Sequence, residues 1–370
     1  MKILFDGAVF SLQAHGGVSR VMIELFAQLI CFDEVNCRAF VGFHKNQYLR
    51  EAPSAVKKRA VGWYLPPWMV KQALFSPLNR FLFAIYARWF NPDIVHCTYY
   101  VIPPVREKVR LVVTVHDMIR ELFLKDSKEC KYERKSVAVE RAHGVICISE
   151  NTRRDLCRLL PREMENKTTV VIHHGSSLSD ISPGPASGEE HHPYLLYVGR
   201  RIEPYKNFDV VLRALAMCRN SDLQLICFGG GGFMAEENAR IRALGLAGRV
   251  HQRGGDDALL CRFYAEAVAL VYPSLYEGFG LPPIEAMAHG CPVLASHAPP
   301  MPEIISDAGL FFDPADPAQL VDRLSEVQEE RVRDRLVRSG YRRAGTFSWR
   351  RSAEQTIEFY DSLRCGKIRK

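Results

Sequence analysis

The sequence predicts an α/β protein of two doubly wound, parallel-sheet lobes, on three observations. Short β-branched or apolar runs alternate with helical stretches, as in parallel sheets covered by helices on both faces. The alternation breaks once, at Asp180 to Pro193 (DISPGPASGEEHHP), a stretch with three prolines, two glycines and almost no apolar content, and then restarts. The length, 370 residues, exceeds one typical domain and suits two.

In the first half the expected strands are KILF, NCRAFVGF, DIVHC, RLVVTVHD, GVICIS and TTVVIH. In the second they are YLLYVG, LQLICFGG, RVHQRG, ALVYPS, PVLAS and LFFD, and a charged helical region from Gln328 to Leu363 closes the chain. The expected boundaries are a first lobe over residues 1–180, a linker over 181–193, a second lobe over 194–345, and a helix over 346–370 packing back toward the first lobe. Two such units imply a cleft.

Composition narrows the function classes. With 47% apolar and 25% charged residues, a large core is available. No run of eighteen or more uncharged apolar residues appears, so no bilayer-spanning helix is expected. The start, MKILFDGAVF, reads as a buried strand rather than a signal segment. Eleven cysteines, an odd number without a C-x-x-C pair, suit reduced thiols in a cytoplasmic protein. The twin histidines His173-His174 and His191-His192 lack supporting ligand spacing, so no metal is expected there. The net charge of +7 is uneven: Ala52 to Pro92 holds Lys57, Lys58, Arg59, Lys71, Arg80 and Arg88 with no acid, among many aromatic residues. That pattern fits nucleic acid, a membrane surface, or one side of a helix whose Leu78, Phe81, Leu82, Ile85 and Trp89 face the core. We expect no nucleic acid, and an anionic membrane contact.

Ligands of doubly wound sheets sit beyond the carboxyl ends of the strands, so the following loops matter most. After the first strand, Gly16-Gly17 open a helix, where backbone N–H groups can approach a phosphate or simply make a turn. His116 and Asp117 end an apolar strand, where His116 either faces a ligand or caps a turn. In YVGRRIEPYKNF, Arg200, Arg201 and Lys206 crowd a helix start, against the dipole preference for acids; an anion bound among them would explain it. FGGGGF, from Phe228, fits a phosphate cradle or close backbone packing equally.

The stretch YEGFGLPPIEAM places Glu277 before a helix and Glu285 in its expected first turn. Pro282-Pro283 suit that turn, where missing N–H groups cost little. The amides of Phe279, Gly280 and Leu281 would then face a ligand, and the two carboxylates would accept hydrogen bonds from paired hydroxyls such as those of sugars.

Taken together, E-G-F-G-L-P-P-I-E, Gly16-Gly17, His116-Asp117, ISENTRRDL, VIHHG and VGRRIEPYKN resemble the retaining glycosyltransferases of family 4, with the GT-B fold, in order over nearly the whole chain. The resemblance implies transfer of a hexose from a nucleotide-sugar, without metal or other cofactor. It implies that Arg201 and Lys206 hold the donor diphosphate and that Glu285 binds the ribose hydroxyls. Glu277 would contact the donor sugar, with Gly278, Phe279, Gly280 and Leu281 lining that site. His116 would lie against the sugar near the reacting carbon, and Gly16 and Gly17 would leave room for phosphate and acceptor. Two adjacent arginines follow Gly199, and the spacing to Lys206 favours Arg201 over Arg200 for the family's arginine. The expected donor is GDP-mannose, the acceptor a glycan or lipid-linked acceptor in surface polysaccharide or lipopolysaccharide assembly, and the place of action the cytoplasm, peripherally at the inner face of the cytoplasmic membrane. The competing readings are a nucleotide-sugar epimerase and a non-catalytic nucleotide-binding scaffold, which hydrolysis of nucleotide-sugars without acceptor would tell apart.

Overall fold

The structure is a computed structural model describing residues 1–70, 72–123, 132–183 and 192–366. The chain forms two compact units, one of Met1–Gly175 with Ser348–Lys370 and the other of Ser176–Phe347. Of the proline-rich stretch expected as a linker, residues 184–191 lie outside the described residues.

The first unit holds a seven-stranded parallel sheet: β1 (Lys2–Phe5), β2 (Asn36–His44), β3 (Ala60–Tyr64), β4 (Ile94–Cys97), β5 (Arg110–Val115), β6 (Gly144–Cys147) and β7 (Thr168–Val171). The order is β3-β2-β1-β4-β5-β6-β7. β4 and β6 are buried along their whole length, which is why they read as continuous apolar runs. β3 is the strand the sequence pattern does not reveal. It lies at the sheet edge, half exposed, and its Gly62 meets the backbone of Gly42 on β2.

The helix Gln72–Phe90 covers one side of β2. Sequence spacing offered Leu78, Phe81, Leu82, Ile85 and Trp89 as an inward face. The structure turns the opposite face inward, with Phe83, Ala87 and Phe90 buried, while Leu78, Phe81, Ile85 and Trp89 are exposed. Phe83 meets Phe40 of β2 edge to face at 5.8 Å, and that packing sets the helix's rotation. The C-terminal helix Trp349–Arg364 belongs to this unit. It packs on the helix Gly17–Leu29, and its buried Tyr360 hydroxyl meets Nδ1 of the buried His96 at 2.5 Å.

The second unit holds a six-stranded parallel sheet: β8 (Tyr194–Val198), β9 (Gln224–Phe228), β10 (Val250–Arg253), β11 (Ala269–Tyr272), β12 (Val293–Ser296) and β13 (Gly309–Phe312). Its order is β10-β9-β8-β11-β12-β13. Its core joins Leu195, Val271 and Leu294 of the sheet to Val211 and Leu215 of the helix Phe208–Met217.

Each sheet reverses direction of winding once, at β1/β4 in the first unit and at β8/β11 in the second. Connections leave in opposite directions there and open a crevice at the carboxyl ends.

Candidate functional site

In the second unit the reversal point brings together the loop after β8, residues 199–207, and the loop after β11, residues 273–280. Lys206 Nζ lies 2.7 Å from Glu277 Oε1, across 71 residues of sequence. Tyr272, at the end of β11, also gives its hydroxyl hydrogen to Glu277; burial first, and this carboxylate second, push the phenol well above its usual range. The loop is pinned by Asn207, a left-handed residue whose side-chain amide donates to the carbonyls of Pro273 at 3.2 Å and Pro314 at 2.8 Å. Leu275 N–H donates to Tyr205 O at 2.7 Å. Lys206 is therefore held by its neighbours against the β11 loop.

Both predicted acids are buried. Glu285 accepts from the Tyr264 hydroxyl at 3.0 Å. The helix begins at Leu281, so Glu285 opens its second turn rather than the first that the sequence suggested. Pro282 and Pro283 occupy the first turn, and no side chain caps the helix. Gly280 precedes it with φ +111°, a backbone angle that requires glycine. Gly278 and Phe279 are buried in the same loop, and Leu281 is half-buried.

The two arginines divide. Arg201, expected at the diphosphate, is buried and directed toward the glycine loop after β9: Nε to Glu237 Oε1 at 2.8 Å, Nη1 to Gly229 O at 3.1 Å, Nη2 to Gly231 O at 2.8 Å. Its guanidinium carbon lies 4.7 Å from the Phe233 ring centre. Gly229, Gly230 and Gly231 all have positive φ, which turns carbonyls toward the guanidinium. Arg200 is exposed and paired with Glu203 at 3.2 Å. Sequence reasoning missed Asn207 and Glu237; the motif Y-K-N carried a signal for the first, and nothing local for the second.

In the first unit the reversal point holds Asp6, after β1, and Thr98, after β4. Asp6 Oδ1 accepts from Thr98 N at 3.0 Å, Thr98 Oγ1 at 2.5 Å and Ala8 N at 3.2 Å. Oδ2 is buried with no hydrogen-bond partner among the described residues. Burial pushes this carboxyl up to about 6, and the hydrogen bonds from Thr98 and Ala8 only partly oppose it. Asp6 lines a cavity of about 420 Å³ together with Gly7, Ser11, Phe75, Arg80 and Arg134, all in this unit.

His116, one residue beyond β5, is buried, and its Nε2 has no hydrogen-bond partner among the described residues. Burial lowers its pKa to about 4, so the ring is neutral at pH 7. Behind it the buried Lys135 donates to Asp117 O at 2.7 Å and pairs with Glu121 at 2.9 Å, fixing the turn. Gly16 and Gly17 serve differently: a Cβ on Gly16 would strike the Gln13 amide at 2.3 Å, whereas Gly17 faces open space. Gln13 Oε1 accepts from Ser19 N–H, capping the helix Gly17–Leu29. Among the described residues no group of three His, Cys, Asp or Glu is placed to hold a metal ion.

Comparison with known proteins bears on both units. Residues 15–180 match the family described as Glycosyltransferase Family 4, and residues 185–343 that described as Glycosyl transferases group 1. The chain is 29% identical to O-antigen chain mannosyltransferase B of Escherichia coli, over 98% of this chain and 100% of that protein. It is 26% identical to O-antigen chain mannosyltransferase RfbU of Salmonella typhimurium, over 69% of this chain and 72% of that protein. Among solved structures it resembles a sucrose-phosphate synthase of Thermosynechococcus elongatus (TM-score 0.76, 21% identity, 99% of this chain and 100% of that one). It also resembles the Anabaena protein HepE solved with UDP and glucose (TM-score 0.75, 18% identity, 98% of this chain and 100% of that one).

Proposed function

The chain belongs to glycosyltransferase family 4, and on that premise we propose a retaining, metal-independent hexosyltransferase that moves mannose from GDP-mannose to a lipid-linked glycan at the inner face of the cytoplasmic membrane. The observation that carries the reading is the Lys206–Glu277 pair at the reversal point of the second sheet. The mannose and polysaccharide assignments rest on the O-antigen mannosyltransferases, one of which matches over the full chain. HepE, solved with UDP and glucose, supports a nucleotide-sugar donor.

The chemistry follows from charge. Breaking the glycosidic bond leaves an oxocarbenium-like sugar and a diphosphate carrying extra negative charge. Lys206, held in place before the donor arrives, stabilises that charge without reorganising. Glu277 orients the ammonium, and its carboxylate is tied to Lys206 and Tyr272. A carboxylate so engaged is a poor nucleophile, so retention proceeds by acceptor attack from the leaving-group face rather than through a glycosyl-enzyme. Glu285, oriented by Tyr264, accepts from the ribose hydroxyls. Arg200, exposed beside the β8 end, is the second cation for the diphosphate, and Arg201 supports the site from behind by fixing the glycine loop. In the first unit His116, neutral and with no partner for Nε2 among the described residues, is free to hydrogen-bond a ligand hydroxyl. On the acceptor side, Asp6 Oδ2 would accept a hydroxyl within its cavity.

The test is acceptor-free hydrolysis of GDP-mannose, UDP-glucose and ADP-glucose followed by NMR. The reading expects slow release of mannose from GDP-mannose, with the α-anomer formed first. Isomerised nucleotide-sugar without release would make it an epimerase, and no turnover of any donor would make it a scaffold.

A further inference from the structure

We infer that the outward face of the helix Gln72–Phe90, with the edge strand β3 and the exposed Trp68 and Met69, docks on an anionic lipid surface. The inference concerns where the protein rests and does not depend on which donor it uses.

Leu74, Leu78, Phe81, Ile85 and Trp89 recur every three or four residues and are all exposed, Phe81 at 64% and Trp89 at 70%. They form one stripe opposite the buried Phe83, Ala87 and Phe90. From Leu74 to Trp89 the stripe is about 22 Å long at 1.5 Å per residue. It continues at its N-terminal end into Trp63, Trp68 and Met69, also exposed. Phe43 ties the two parts together, with ring centres 5.2 Å from both Trp63 and Phe75. Exposed apolar residues recurring along one helix face in this way mark an interaction site rather than scatter.

Charge decides the occupant. From Ala52 to Pro92 the sequence has no acid. Arg88 is exposed beside the stripe, as are Lys57 and Lys58 on the short helix leading into β3. Arg80 is exposed too, and its Nη1 donates to Ile102 O at 2.8 Å. Glu51 and Asp93 only flank the stretch. A second copy of the same face would set cations against cations, whereas anionic headgroups complement them. The exposed tryptophans suit the headgroup level, where an apolar ring and a polar N–H are both satisfied.

The experiment is co-sedimentation with phosphatidylcholine vesicles and with vesicles of phosphatidylcholine and phosphatidylglycerol. Wild-type protein is expected to pellet with the second and not the first, less so as salt rises. The double variant Phe81→Ser, Trp89→Ser should lose on the order of a hundredfold in partitioning, and Arg88→Gln about fivefold. Both substitute exposed side chains, so an unchanged thermal midpoint and unchanged GDP-mannose hydrolysis serve as controls. Equal recovery with neutral and anionic vesicles overturns the inference, as does unaltered binding in the double variant. A dimer in sedimentation velocity that the double variant abolishes, without vesicle binding by wild type, assigns the face to a second copy and also overturns it.

Discussion

The two sheets place polar side chains at the same topological point and treat them oppositely. At β8/β11 a cation meets an acid, Lys206 against Glu277. At β1/β4 the acid Asp6 accepts hydrogen bonds from the neutral donors of Thr98 and Ala8, and burial holds its pKa at about 6. Nearby His116 is likewise desolvated, down to about 4. Paired charges are already oriented for an arriving anion. Desolvated groups with an unpartnered buried acceptor or ring nitrogen suit hydroxyls. Topology thus fixes where ligands go, and the local charge pairing fixes which kind.

The contrast can be broken first at Arg201. It is buried against Glu237 and two carbonyls, so Arg201→Ala should cost on the order of 3–5 kcal/mol of stability, read as a lowered denaturation midpoint. Arg200→Ala, at an exposed position, should change stability by less than about 0.5 kcal/mol while lowering turnover. Reversed effects would return the diphosphate role to Arg201.

A second prediction sharpens the Asp6 side. Its folded pKa lies above the ordinary 3.8, so the native state binds the proton more tightly. Its contribution is therefore most favourable below pH 3.8 and is lost as pH rises to about 6. The loss amounts to about 3 kcal/mol at 1.36 kcal/mol per unit. Asp6→Asn should accordingly be more stable than wild type above pH 6, with the difference closing toward pH 4. A pH-independent difference would mean that burial does not control this group. The smallest expected effect is that of excess chelator on turnover, which should be none; loss of activity restored by magnesium or manganese would show that the cations do not suffice.

Much of this was legible in the sequence. Twelve strands announced themselves as short β-branched or apolar runs, most plainly β4, β6, β11 and β12, because strands covered on both faces cannot contain much else. β3 did not, because an edge strand with Gly62 at its centre and outward Trp63 follows no such rule. The helix after it shows the limit of periodicity. Apolar residues ring Gln72–Phe90 on both faces, so spacing identified a helix but not which side is covered. At the candidate site, Lys206, Glu277 and Glu285 were readable from motif spacing, since each sits on a strand-end loop or the helix it opens. Arg201's contacts with Glu237 and the glycine carbonyls were not, because those groups meet it only once β8 and β9 pair. Asp6 was visible only as a strand end; its unpartnered Oδ2 and the cavity it lines depend on folding.

The central claim is that Lys206 acts on charge developing at a donor diphosphate. Steady-state hydrolysis of GDP-mannose by wild type and Lys206→Ala tests it most directly. The account predicts a fall in kcat of roughly 10²–10³ with a much smaller change in KM. An unchanged kcat, or a raised KM alone, would contradict it.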